Sequence, residues 1–224
     1  MFDFLSTAIK FILVAILLTP MCLRLFVRRM EYVLLVRNAK RRLPEIEKLA
    51  RVVGGAFLRK TKKFSSIRWG ILPNPGFETT NENTHGPICW EAPIVFLVQL
   101  NDGTSLGLAV EFRGSVLCVR QMQGTKGADI PREINHWPLI FMRACIDFAK
   151  QNNLREVRLY RADQSGFYWH PVAIPYENGE QWSVAVANLQ RRMRQRYDGT
   201  AYNLRMIMTR RYGFWTNPNC TRPS

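Results

Sequence analysis

The sequence predicts an α/β chain of the α+β type. Its mixed sheet consists of an antiparallel meander and a parallel strand, and a crossover helix connects the two. Three apolar strand-like runs separated by tight turns occupy residues 93–122. An amphipathic helical pattern follows over residues 135–153, and an alternating strand pattern over residues 155–162. An uncharged apolar run over residues 11–23 adds an N-terminal membrane helix to this fold class.

The apolar N-terminus reaches bilayer length when it is extended to residues 4–27, since a spanning helix needs about 20 residues. A basic cluster follows the apolar run, consisting of Arg24, Arg28, Arg29, Arg37, Lys40, Arg41 and Arg42. Because such clusters stay on the cytoplasmic side, we predict a membrane-associated protein with its globular domain in the cytoplasm. Lys10 and Pro20 interrupt the run, so a buried or membrane-surface helix is the alternative.

Composition predicts two parts, a hydrophobic helix with a basic juxtamembrane segment over residues 1–42 and one globular domain over residues 43–224. A chain of 224 residues with 47% apolar content can bury one sizeable core. The net charge of +15 favours an acidic partner, namely a phosphate-bearing cofactor, nucleic acid or an anionic membrane. Five widely spaced cysteines argue against a disulfide framework.

The predicted meander consists of three strands over residues 93–100, 104–112 and 115–122. Asn-Asp-Gly at residues 101–103 predicts the first turn, because these residues tolerate positive φ, and Arg-Gly at residues 113–114 predicts the second. In the middle strand, alternation places four apolar residues on one side and Glu111 on the other; the four are Leu106, Leu108, Val110 and Phe112.

The segments around the meander have their own local signals. Residues 43–53 predict a short amphipathic helix that the following glycine pair ends, and residues 73–92 predict a long irregular connection. We expect Asn135 to cap the crossover helix. His85 and Cys89 have no second ligand pair nearby, so no metal site is predicted.

Two short patterns give the globular domain a resemblance to a known family. After the third strand of the meander come Gln121, Met122, Gln123, Gly124, Thr125, Lys126 and Gly127. Near the C-terminus, apolar residues at helical spacing after Asn203 predict the last turns of a helix that Gly213 ends, with Phe214 buried just past it. The chain resembles the GNAT (Gcn5-related N-acetyltransferase) superfamily in this order of elements and in these two patterns.

The resemblance implies that acyl-CoA is a co-substrate. Backbone N–H groups of residues 121–127 would hold its pyrophosphate, and the helix opened by Asn203 would run beside its thiol. Thr209 stands where the family usually has a tyrosine that protonates the thiolate, so Tyr212 is the candidate acid. Glu111 is the candidate general base, and the alternative is a solvated or salt-bridged strand residue.

An Arg-rich stretch over residues 188–211 predicts a helix with its basic side outward, formed by Arg191, Arg192, Arg194 and Arg196. Such a surface suits anionic lipid, RNA phosphates or a larger complex. Two functions therefore stay open from the sequence. One is a membrane-associated acyltransferase that transfers an acyl group from acyl-CoA to an amine. The other is a non-catalytic accessory subunit that docks on a membrane or ribonucleoprotein complex.

Overall fold

The protein is α+β, with a mixed seven-stranded sheet whose larger core lies on the face covered by helices. The structure is a computed structural model that describes residues 23, 26–73, 76–78, 88–124, 130–165, 168, 182–209 and 213–217. The predicted membrane helix over residues 4–27 lies almost entirely outside these ranges. Within them, no helix combines the length and the apolar composition needed to cross a bilayer.

The helices of the described part are α1 (26–40), α2 (Leu43–Leu58), α3 (Trp137–Gln151) and α4 (Trp182–Asn203). Its strands are β1 (Phe64–Ile71), β2 (Gly76–Glu78), β3 (Ile88–Trp90), β4 (Ile94–Leu100), β5 (Ser105–Arg113), β6 (Val116–Gly124), β7 (Glu156–Tyr160), β8 (Ile207–Thr209) and β9 (Phe214–Thr216). The main sheet has the order β1-β4-β5-β6-β7-β9-β8, and β2 pairs with β3 separately.

The meander and the crossover are confirmed. Strands β4, β5 and β6 pair antiparallel in sequence, and Gly103 and Gly114 take the positive φ angles of 84° and 59° that their turns require. After α3 the chain returns beside β6, where β7 pairs parallel to it. Parallel neighbours need a crossover connection of this kind, so a helix pattern between two strand patterns predicts that the second strand lies parallel to the first.

The two faces of the sheet differ in cover. The larger core contains the apolar side of β5 and residues of α2, α3 and α4, and Phe112 contacts Phe148 of α3 edge-on at 6.4 Å between ring centroids. A smaller cluster on the opposite face contains Trp90, Ala92, Val95, Leu97 and Ala109. Glu111 lies on this second face as predicted, but it is only 2% exposed. Its charge must therefore be satisfied inside the protein.

Helix α2 is longer than predicted, since it continues to Leu58 through the glycine pair. A Cβ on Gly54 would lie 3.1 Å from Ile67 Cγ2 of β1. The glycine therefore lets the helix approach the strand and does not end the helix, so packing overrides the local signal. The connection over residues 73–92, predicted to be irregular throughout, contains β2 and β3.

The start of α3 also differs from the prediction. The helix begins at Trp137 after His136, with Pro138 in its first turn and no side-chain capping bond. Asn135 instead ends the preceding 3-10 turn, where its N–H donates to the carbonyl of Arg132 over 3.2 Å. Asn135 therefore belongs to the turn before the helix, and His136 occupies the position that a capping side chain would need.

The predicted helix over residues 203–213 is wrong. Helix α4 ends where that helix was expected to begin, at Asn203. Arg205 then takes a left-handed φ of 52°, and the N–H of Met206 donates to the carbonyl of Ala201 over 3.0 Å. This pattern closes a helix in the way that a glycine usually does.

Residues after that closure form the strand pair β8–β9, which extends the main sheet beyond β7. Gly213 is left-handed as predicted, with φ of 65°, but it belongs to the connection before β9 rather than to a helix end. Phe214 is buried, as predicted. The sheet edge of β7 supplies hydrogen-bonding partners from elsewhere in the chain, which the local helical spacing could not reveal.

Candidate functional site

The two central parallel strands separate at the place where the resemblance puts the cofactor. Their pairing runs only from Val116–Glu156 to Val119–Leu159, whereas β6 continues along β5 as far as Gly124. The register of β5 and β6 shifts after Val119, which leaves Arg120 as the extra residue of a β-bulge. A bulge bends its strand, so it helps to part β6 from β7 and opens a split in the sheet.

Helix α4 fills this split with two side chains. The hydroxyl of Tyr197 accepts a hydrogen bond from the N–H of Met122 over 2.9 Å. The Nη1 atom of Arg196 donates to the carbonyl of Met122 over 3.2 Å. Both main-chain groups of Met122 are therefore satisfied by side chains where a neighbouring strand or a ligand would otherwise be needed. Burial raises the pKa of Tyr197 to about 12, so its hydroxyl stays protonated at neutral pH.

Arg196 points inward, contrary to the prediction for the basic helix. Arg191, Arg192 and Arg194 are exposed as expected. The guanidinium of Arg196 instead lies 5.0 Å from the ring centroid of Trp137 at the start of α3, and burial lowers its pKa. The ring face and the carbonyl oxygen both present negative potential to the cation and so stabilise it.

The predicted phosphate loop divides into a structural part and a part outside the described residues. Met122 belongs to the core, and Gln121 is buried on the opposite face. The Oε1 atom of Gln121 accepts from the N–H of Glu91 over 3.0 Å, and its Nε2 donates to Gln123 over 2.8 Å. Gly124 is the last residue of β6, and residues 125–127 lie outside the described ranges. The first residues of the pattern thus tie β6 to the segment after β3.

The C-terminal pattern does not place its residues as predicted. Asn203 ends α4, is exposed, and opens no helix. Tyr212 lies outside the described residues.

Glu111 is held in an ion pair. Its Oε1 atom accepts from Nε of Arg113 over 2.6 Å, and Nη2 of Arg113 contacts Glu31 of α1 at 2.7 Å. Burial lowers the pKa of Arg113, but the charge and hydrogen bond of Glu111 outweigh it and raise the pKa overall. Glu111 is therefore a buried, salt-bridged strand residue, which is the alternative to the general base that the sequence left open. Arg113 links the sheet to α1 through two carboxylates.

More polar side chains surround this ion pair on the same face. The guanidinium carbon of Arg120 lies 3.9 Å from the ring centroid of Tyr160, and its Nε atom has no hydrogen-bond partner among the described residues. Burial raises the pKa of Cys118 to about 12, so the thiol is not a nucleophile at neutral pH. Arg120 could not be recognised from the sequence, because a bulge breaks the two-residue alternation of a strand.

Helix α1 carries an exposed apolar stripe. Its members recur at helical spacing and include Phe26, Val27, Met30, Val33 and Leu34. The opposite side of α1 packs against the protein, because Val36 and Ala39 are buried there. Nδ2 of Asn38 also donates to the carbonyl of Phe112 over 2.7 Å and joins the helix to β5. Arg28, Arg29 and Arg37 are exposed on the same helix. An attached helix with an apolar stripe and exposed arginines suits the interface of an anionic membrane.

The described residues contain no cluster of histidine, cysteine and acidic side chains that could hold a metal ion. The two cysteines whose side chains are described, Cys118 and Cys145, are buried free thiols. Neither protein-family models, nor curated proteins, nor solved structures give a significant match to this chain.

Proposed function

We propose that this chain is a membrane-associated, GNAT-like accessory subunit that does not transfer acyl groups and that docks on a larger assembly at a membrane. The observation that carries this proposal is the filled split, in which Tyr197 and Arg196 occupy both main-chain groups of Met122. An enzyme of the resembled kind needs its cofactor at this end of β6.

The order of elements supports the GNAT-like part of the proposal. An antiparallel meander, a helix and a parallel strand occur in the sequence order on which the resemblance rests. The fold alone says nothing about activity, since related scaffolds host unrelated functions. Activity has to be argued from the residues at the split.

Three features of those residues favour the absence of catalysis. A cofactor in the split would have to displace a buried tyrosine and a half-buried arginine, each hydrogen-bonded to Met122. Thr209 stands where the resemblance puts the tyrosine that protonates the thiolate, and a threonine hydroxyl is too weakly acidic for that role. Glu111 is paired with Arg113 at 2.6 Å, and a base in such an ion pair is a poor proton acceptor.

The apolar stripe of α1 supports the membrane part of the proposal. In the sequence, the stripe follows shortly after the apolar run over residues 11–23. Each exposed arginine beside the stripe adds about 1 kcal/mol of attraction to an anionic leaflet. We place the globular body on the cytoplasmic side, where anionic lipids and the basic cluster would meet.

The acyltransferase remains the second candidate, and one observation favours it. Strand β6 does part from β7 and runs to Gly124, directly before the glycine-containing segment over residues 125–127. In that function, residues 121–127 would hold acyl-CoA. Glu111 would take the proton of the attacking amine, and Tyr212 would protonate the leaving thiolate.

Isothermal titration of the full chain in non-ionic detergent with acetyl-CoA separates the two functions. We expect no binding heat, because the split is filled by α4. Saturable heat that disappears in Gly124→Trp and Lys126→Glu variants would instead support the transferase. The lysine variant controls for folding, because a side chain on Gly124 would meet Leu106 and Trp137 at 3.4 and 3.5 Å.

A further inference from the structure

The outer edge of β1 has no strand beside it among the described residues. It is the first strand in the sheet order, and its pairing is with β4 alone. The N–H of Leu72, just after β1, donates toward β4 to the carbonyl of Pro93 over 2.8 Å. Because main-chain groups alternate in direction along an antiparallel strand, those of Ile67, Trp69 and Ile71 point away from β4. They form a row of donors and acceptors at the sheet edge.

A groove runs between this edge and α2. Its cavity volume is about 480 Å³, and its lining includes Ala50, Gly54 and Leu58 of α2 and Phe64, Ile67 and Trp69 of β1. Leu58 is among the exposed large apolar residues of the protein. The groove therefore offers apolar surface directly above the row of main-chain groups.

Positive charge surrounds the groove and the edge. The exposed basic residues of α2, of the following turn and of β1 are Lys48, Arg51, Arg59, Lys60, Lys62, Lys63 and Arg68, of which Lys63 lies 4.0 Å from the carboxylate of Asp102. Arg68 lies between Ile67 and Trp69, so its side chain is on the other face of the sheet from the groove. Glu47 is the one carboxylate that lines the groove.

We propose that β1 binds an extended peptide segment of a partner protein in which apolar and acidic residues alternate. Its main chain would pair with Ile67, Trp69 and Ile71 and add a strand to the sheet. Its apolar side chains would enter the groove under α2, because side chains of a strand alternate between the faces. Its acidic side chains would then lie on the face of Arg68 and near Lys62 and Lys63.

A second copy of the chain is a poorer occupant of the same edge. Two β1 strands side by side would bring Arg68, Lys62 and Lys63 of one copy close to the same residues of the other. Like charges on paired strands repel, and each chain carries a net charge of +15. An acidic segment reverses the sign of this interaction.

The test uses a fluorescent peptide in which four valines alternate with four glutamates, titrated with the full chain in non-ionic detergent by fluorescence anisotropy. We expect saturable binding that weakens as salt is added. A matching valine–lysine peptide should not bind, and N-methylation of alternate peptide bonds should abolish binding because it removes the added ladder. Equal binding of both peptides, no binding of either, or dimerisation of the chain through β1 would overturn the proposal.

Charge reversal locates the binding site. Arg68→Glu and Lys62→Glu should each weaken binding of the valine–glutamate peptide about tenfold. Arg155→Glu, which makes the same charge change beside β7, should change it less than twofold because several strands separate it from β1. Thermal melts of each variant confirm the fold. Equal losses in all three variants would show that the peptide responds to total charge, and would also overturn the proposal.

Discussion

Tyr197 of α4 and Met122 of β6 are joined across the split in the sheet by a hydrogen bond of 2.9 Å from the backbone N–H to the phenol oxygen. The same strand residue accepts a hydrogen bond from Arg196, one position earlier on the helix. A helix thus takes over the main-chain pairing that β7 gives up after Leu159. The two side chains satisfy the main-chain N–H and carbonyl of Met122 where the strands separate, so no ligand is needed there.

Removing the hydroxyl of Tyr197 should show how much its hydrogen bond to Met122 stabilises the protein. We predict that Tyr197→Phe lowers the free energy of unfolding by about 1–3 kcal/mol, because the buried N–H of Met122 loses its acceptor. Tyr202→Phe is the matched control, since Tyr202 is 69% exposed and should change stability by less than about 0.5 kcal/mol. Urea unfolding of both variants measures the difference. Equal stabilities would contradict the contact.

Alkaline pH should destabilise the fold. Burial raises the pKa of Tyr197 from 10.0 to about 12 and that of Cys145 from 9.0 to about 12. Below about pH 8 both groups are protonated in the folded and unfolded states, so neither changes stability with pH. Between the unfolded and folded pKa values only the unfolded state ionises, so stability falls as pH rises.

Denaturant midpoints measured from pH 8 to pH 11.5 test this dependence. The fall should begin near pH 9 and should be shallower above pH 10 in Tyr197→Phe, because that variant lacks one of the titrating groups. A stability that stays constant over this range would show that these groups are not buried as described.

The glycine pair inside α2 gives a matched test of helix packing. Gly55→Ala should stabilise the protein by about 0.5–1 kcal/mol, because alanine favours a helix interior and the nearest atom to its Cβ would be Arg59 Nη1 at 3.5 Å. Gly54→Ala should gain less or lose stability, since its Cβ would lie 3.1 Å from Ile67 Cγ2. Thermal unfolding of the two variants decides this, and an equal gain in both would contradict the close approach of α2 to β1.

Acidic residues in the apolar stripe of α1 should weaken membrane binding. We predict that a Val27→Glu, Leu34→Glu double variant binds vesicles of equimolar phosphatidylcholine and phosphatidylserine more than tenfold less tightly, because it loses apolar burial and adds negative charge. Leu58→Glu makes a similar change at another exposed leucine and should have a smaller effect. Flotation of the vesicles measures binding. An unchanged double variant would exclude the stripe from the membrane contact.

Local signals predicted the centre of the fold well. Turn residues at Gly103 and Gly114 and the apolar runs between them are short-range features, so β4, β5 and β6 could be predicted from sequence. The parallel position of β7 followed from the helix between two strands. These elements need few contacts from distant parts of the chain to be recognised.

The C-terminal segment could not be predicted in the same way. Residues 203–211 have apolar positions at helical spacing, yet β8 forms because β9 pairs with it on one side and with β7 on the other. Arg205 closes α4 in a conformation usually taken by glycine, so the helix end carried no glycine signal. Arg196 was expected outside because one-dimensional spacing cannot show that Met122 and Trp137 lie beneath it.

Helix α4 occupies the split at Met122 through Tyr197 and Arg196. Hydrogen exchange of the Met122 amide, followed by NMR with and without excess acetyl-CoA, tests it most directly. We predict slow exchange in both samples and an unchanged chemical shift, because the hydroxyl of Tyr197 already accepts from this N–H. Rapid exchange without the cofactor, together with protection and a shift when it is added, would show that the split is open and that α4 does not occupy it.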